Sequence, residues 1–113
     1  MREGRLVIVD SVEDILQDED ASGWMQEMLG RGLFLSIYPL KAWPGERNML
    51  KGKIPEEVEV IGGKGIQDFD QFCSARTNIY SGAVCLSGSA AVLPLVSQLR
   101  ERLPKGCLMA DEL

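Results

Sequence analysis

The chain contains no histidine. That absence removes Ser-His-Asp and Cys-His catalysis, histidine acid–base work and nearly every common zinc site. Cysteine is scarce. Cys73, Cys85 and Cys107 lie far apart without a C-x-x-C pair, whereas a secreted disulfide scaffold of this size carries an even, denser set. They read as small buried hydrophobes; a reactive thiol needs a cationic or helix-N-terminal setting that no sequence feature clearly supplies. Long apolar runs are missing too, and none approaches the roughly 20 residues of a membrane helix. The opening Met-Arg-Glu-Gly-Arg leads into a short strand-like stretch, not the apolar region of about 7–15 residues and cleavage site of a signal peptide. The expectation is a cytoplasmic chain with no membrane partner. A basic stripe is also lacking. With 17 acidic and 12 basic residues the net charge is −5, which repels phosphate backbones and argues against nucleic acid as a partner.

What is present suits one folded domain over residues 1–113. Domains most often hold about 100–150 residues, and 45% apolar with 26% charged residues argues against global disorder. Leu6-Val7-Ile8-Val9 reads as a strand covered on both faces. Ser11 follows as an N-cap, with Asp14 three residues later in the manner of a capping box, so a helix should carry Val12, Ile15 and Leu16 on one face. After Asp18-Glu19-Asp20 the apolar stripe resumes at Ala21, Trp24, Met25, Met28 and Leu29, at helical spacing. Either one helix bends near Ser22-Gly23 or two helices meet there, and Gly30 and Gly32 are terminators. A second strand is expected at Leu33–Tyr38, stopped by Pro39. Residues 39–56 read as a long irregular loop with a turn at Trp43-Pro44-Gly45. Glu57–Ile61 alternates as a strand, Ile66, Phe69, Phe72 and Cys73 mark a helix face, and Ala83–Leu86 is a buried-type strand. A helix with Leu93, Val96, Leu99 and Leu103 should begin near Val92, because Pro94 belongs in a first turn. Gly106–Ala110 suits a last strand. This alternation predicts right-handed βαβ units and a three-layer α/β domain with a four- or five-stranded, mostly parallel sheet, flavodoxin- or receiver-like.

In such a sheet the loops after the strands share one edge, where ligands bind. Three loops of small residues qualify: Asp10-Ser11, Gly62-Gly63-Lys64-Gly65 and Ser87-Gly88-Ser89. Small residues admit a ligand to the backbone, helix N-termini favour an anion, and Lys64 adds a charge. The same residues also make ordinary strand-to-helix turns, and neither G-x-x-x-x-G-K-[ST] nor G-x-G-x-x-G occurs. The acidic run Asp10, Glu13, Asp14, Asp18, Glu19, Asp20 lacks the order of an EF-hand loop and reads as a solvated helix face. Trp24 and Met25 fit a core or subunit contact. Trp43 beside Pro44 is a candidate anchor for a partner. Catalysis would have to rely on Asp, Glu, Lys, Tyr or Cys; Asp10, Lys64, Tyr80 and Cys85 are candidate pieces, which nothing in the spacing assembles.

Arg5-Leu-Val-Ile-Val-Asp10-Ser-Val-Glu-Asp-Ile-Leu16 resembles the opening strand and turn of a response-regulator receiver domain, and Leu86-Ser87-Gly88 stands where such a domain places its hydroxyl residue. The resemblance implies a receiver-like fold that cannot take phosphate. Ile61-Gly62-Gly63 stands where the phospho-acceptor Asp would be, the acidic pair is reduced to Asp10 and Ser11, and Lys105 precedes the last strand. Tyr80 to Val92, Tyr-Ser-Gly-Ala-Val-Cys-Leu-Ser-Gly-Ser-Ala-Ala-Val, is similar to the closing strand, turn and helix of permuted bacterial microcompartment shell proteins, with Pro44-Gly45-Glu46 echoing one of their turns; it implies a homo-oligomeric assembly subunit. The reading that follows is a non-catalytic binding or regulatory module, without a cofactor, that takes a small anionic ligand at the sheet edge or a protein partner through the 39–56 loop. A receiver-like signalling domain, an assembly subunit and a small enzyme using carboxylate or thiol chemistry are the alternatives.

Overall fold

A computed structural model describes residues 3–41, 52–61, 80–86 and 93–109. The apolar run near the N-terminus forms β1 (Gly4–Val9), and it is flanked by β2 (Phe34–Pro39) and β4 (Tyr80–Cys85), with β3 (Glu59–Val60) and β5 (Cys107–Met109) at the edges. The order is β3-β2-β1-β4-β5 and every pairing is parallel. The expected doubly wound α/β class is therefore what the chain adopts. The order itself differs from the 2-1-3-4-5 of receiver domains, so the likeness of residues 5–16 to a receiver is local.

The sheet is buried on both faces, as parallel sheets require. Alternate residues of β1 serve opposite layers. Val7 and Val9 pack with Val12 and Ile15 of α1 (Val12–Gln17) and with Ala21, Met25 and Met28 of α2 (Ala21–Gly30); Ile54 and Val58 close that side. Leu6 and Ile8 pack on the other side with Val96, Leu99 and Leu103, where α3 (Leu93–Arg102) lies. Met25 is a core residue and Trp24 is half-buried against the same cluster.

The helix break falls at residues 18–20, earlier than Ser22-Gly23. Asp20 is the N-cap of α2, and its N–H donates to Asp18 Oδ1 at 2.9 Å. Asp side chains that bond nearby backbone compete with helix here, while Gly23 is accommodated inside α2. That helix ends at Gly30 with Arg31 as its C-cap, and the next residue, Gly32, takes a φ of +87° that is open to glycine. Gly32 N–H bonds Leu29 O at 3.0 Å and Leu33 N–H bonds Met28 O at 3.2 Å, which is a Schellman closure. Pro94 lies in the first turn of α3, as its missing N–H demands. Among the described residues no helix is long and apolar enough to cross a membrane.

Candidate functional site

Because all strands are parallel, Asp10, Lys41, Ile61 and Leu86 leave the sheet at one rim. The switch point of the winding lies between β1 and β4. After β1 the chain turns into α1 on one face, whereas the helix that follows β4 in the described chain lies on the other. Such a divergence opens the crevice that α/β sheets use for ligands. Backbone hydrogen bonds join the strand ends there: Leu86 N–H donates to Ile8 O, Leu40 N–H to Val9 O and Lys41 N–H to Asp10 O, each at 2.9 Å.

Of the three expected loops, Asp10-Ser11 is described and lies on this rim. Gly62, Gly63, Lys64 and Gly65, together with Ser87, Gly88 and Ser89, lie outside the described residues, as does Trp43. At the first loop the capping device expected from Ser11 and Asp14 forms in part. The Ser11 N–H donates to Asp14 Oδ2 at 3.2 Å, and the Asp14 N–H to Ser11 O at 3.1 Å. The first turn of α1 thus carries its own carboxylates, Glu13 and Asp14. Those charges occupy the favourable end of a six-residue helix, so the cation for an anion here must come from a side chain.

Lys41 is a cationic side chain on this rim. Its Nζ is 3.5 Å from Asp10 Oδ2, with the lysine side chain 70% and the aspartate 23% exposed. Sequence reasoning missed Lys41 because it follows Pro39-Leu40 with no motif around it. Its signal is positional: it stands two residues past the end of β2, as Asp10 stands one past the end of β1.

Of the residues weighed for catalysis, Lys64 lies outside the described residues, Tyr80 stands far from Asp10 and Cys85 is buried. Tyr80 is buried at the start of β4, opposite Gly4, so Asp10 lies about 20 Å farther along β1 at the strand rise. Cys85 is fully buried with its Sγ 3.0 Å from Cys107 Sγ. The contact with Cys107 and then burial push its thiol well above the ordinary range, the opposite of an activated nucleophile. Of the acidic run, Glu13, Glu19 and Asp20 are exposed, and no cluster able to hold a metal ion occurs among the described residues.

A second polar group occupies the opposite rim. Glu3 Oε1 lies 2.7 Å from Lys105 Nζ and 3.4 Å from Arg5 Nη1. Arg5 also donates to Ser81 Oγ. The Lys105 and Ser81 hydrogen bonds, helped by the Arg5 charge, hold the Glu3 carboxyl down to about 2. These residues tie the segment before β1 to β4 and to the turn before β5. Their place at the amino ends of the strands fits a structural clamp, since ligands of such sheets gather at the carboxyl ends.

No family model matches the chain, and neither a curated protein nor a solved structure is significantly similar to it.

Proposed function

We propose that this chain is a non-catalytic binding module that takes a small anionic ligand at the carboxyl rim of its sheet, between the ends of β1, β2 and β4. The observation that carries the reading is the Asp10–Lys41 pair standing beside the switch point. An exposed pair of this kind contributes only about 0–1 kcal/mol, so a ligand can open it at small cost. The anionic group would take Lys41 Nζ, and a hydroxyl or amine of the same ligand would donate to the Asp10 carboxylate. The backbone beneath both side chains is held by hydrogen bonds between the strand ends, which limits the ordering cost of binding. The distance of Tyr80 from Asp10 and the burial of the Cys85 thiol support binding over thiol or carboxylate catalysis.

The test is a titration of the labelled chain with inorganic phosphate, nucleoside monophosphates and hydroxycarboxylates, followed by amide chemical shifts. Saturable shifts confined to Asp10, Ser11, Lys41 and Leu86, lost in Lys41→Met and weakened in Asp10→Asn, are expected. Shifts centred elsewhere, or none up to millimolar ligand, would defeat the proposal.

A further inference from the structure

Cys85 and Cys107 take no part in the rim. On adjacent parallel strands, Ala83 stands opposite Cys107 and Cys85 opposite Met109, so the two cysteines are diagonal neighbours. Both belong to the layer of Val96, Leu99 and Leu103. Both are buried and neither is in a disulfide, with Sγ atoms 3.0 Å apart. A disulfide bond is about 2.05 Å long, so closing one asks for about 1 Å of approach. A shared metal ion fits less well. At about 2.3 Å per metal–sulfur bond and a tetrahedral angle, two ligating sulfurs stand about 3.7 Å apart, and no further ligand cluster is found among the described residues.

We infer that Cys85 and Cys107 form a reversible intrachain disulfide site, oxidised by low-molecular-weight disulfides, that staples the edge strand β5 to β4. One cysteine loses its proton and attacks the small disulfide, forming a mixed disulfide as one small thiolate leaves. The second cysteine, deprotonated in turn, attacks the first cysteine's sulfur in that mixed disulfide and expels the other small thiolate. The two cysteines give up two electrons and two protons in all; the small disulfide becomes two thiols. In the closed sheet the contact with Cys107 and burial hold the Cys85 thiol protonated, and both sulfurs are shielded from reagents, so the reaction runs through local opening. β5 suits such opening. It is three residues long, pairs on one side only among the described residues, and bears Leu108 46% exposed; short edges of this kind open at lower free energy than a sheet centre. β5 is also tied to α3 by the 3.3 Å bond from Arg100 Nε to Cys107 O.

The experiment incubates the full chain, natively folded, with oxidised glutathione and reads intact mass, a peptide map and thermal melting. The Cys73→Ser chain is run beside it, so that only the pair can react. Expected in both are a loss of about 2 Da, a peptide cross-linked through Cys85 and Cys107, and return to the starting mass with a dithiol reductant. The bridge spans 22 positions, and the freedom it removes from the unfolded chain should raise Tm by roughly 10 °C. The inference is overturned if the native mass stays unchanged for a day, if stable glutathione adducts or covalent dimers form instead, or if the cross-link maps to Cys73.

Discussion

Replacing Gly4 by alanine tests how the amino end of the sheet is packed. Gly4 opens β1 opposite Phe34 of β2 and Tyr80 of β4. A Cβ built on Gly4 would stand 2.4 Å from Phe34 Cζ and 2.8 Å from both Cε atoms, whereas carbon atoms pack at about 3.5–4.0 Å. The ring must therefore move by about 1 Å. It leans on Tyr80, with ring centroids 5.8 Å apart at 46°, and losing such a contact costs about 0.5–1.5 kcal/mol. Strain from an added methyl in a filled space costs a further 1–3 kcal/mol or so. Against this, alanine restricts the unfolded chain and returns about 0.4–1 kcal/mol. The balance is a destabilisation of about 0.5–4 kcal/mol, seen as a lower urea midpoint at unchanged slope and a Tm lower by roughly 2–16 °C. A double-mutant cycle isolates the cause. Phe34→Leu removes the obstructing ring edge, so Gly4→Ala in that background should cost about 1 kcal/mol less than in the parent. A neutral or stabilising Gly4→Ala, or strict additivity in the cycle, refutes the packing argument.

Three further outcomes follow from the same coordinates. The Glu3 carboxyl, held down to about 2 from 4.5 by Lys105, Ser81 and Arg5, supports the fold above the unfolded value and loses that support as pH falls through about 4.5 toward about 2; Glu3→Gln should flatten the acid limb of stability, and Lys105→Met should raise the Glu3 titration seen by carboxyl NMR. Leu99 on α3 is 1% exposed in the layer that covers Leu6 and Ile8, so Leu99→Ala should cost about 2–5 kcal/mol in urea unfolding; a loss under about 1 kcal/mol would mean that this layer can collapse around the gap. Lys41→Met should leave the urea midpoint within about 1 kcal/mol of the parent, because its side chain is exposed, and a larger loss would make the Asp10–Lys41 pair structural.

Local chemistry alone determined much of this protein. The β-branched run Leu6–Val9 calls for burial on both faces, Ser11 and Asp14 start a helix, Gly32 ends one, and Pro94 belongs in a first turn; each effect acts within a few residues, so each is legible without the fold. Strand limits were less so. β4 begins at Tyr80 although Ser81 and Gly82 look unlike strand, because pairing with β1 on one side and β5 on the other outweighs their weak preference. The candidate rim was half legible: Asp10-Ser11 stood out as the turn after a strand, but nothing near Lys41 marked it. Only the tertiary structure decided the order β3-β2-β1-β4-β5, which carries Lys41 to Asp10, Lys105 to Glu3 and Cys107 to Cys85. Those partners are separated by long stretches of chain, and what brings them together is the register of parallel strands buried between two helix layers.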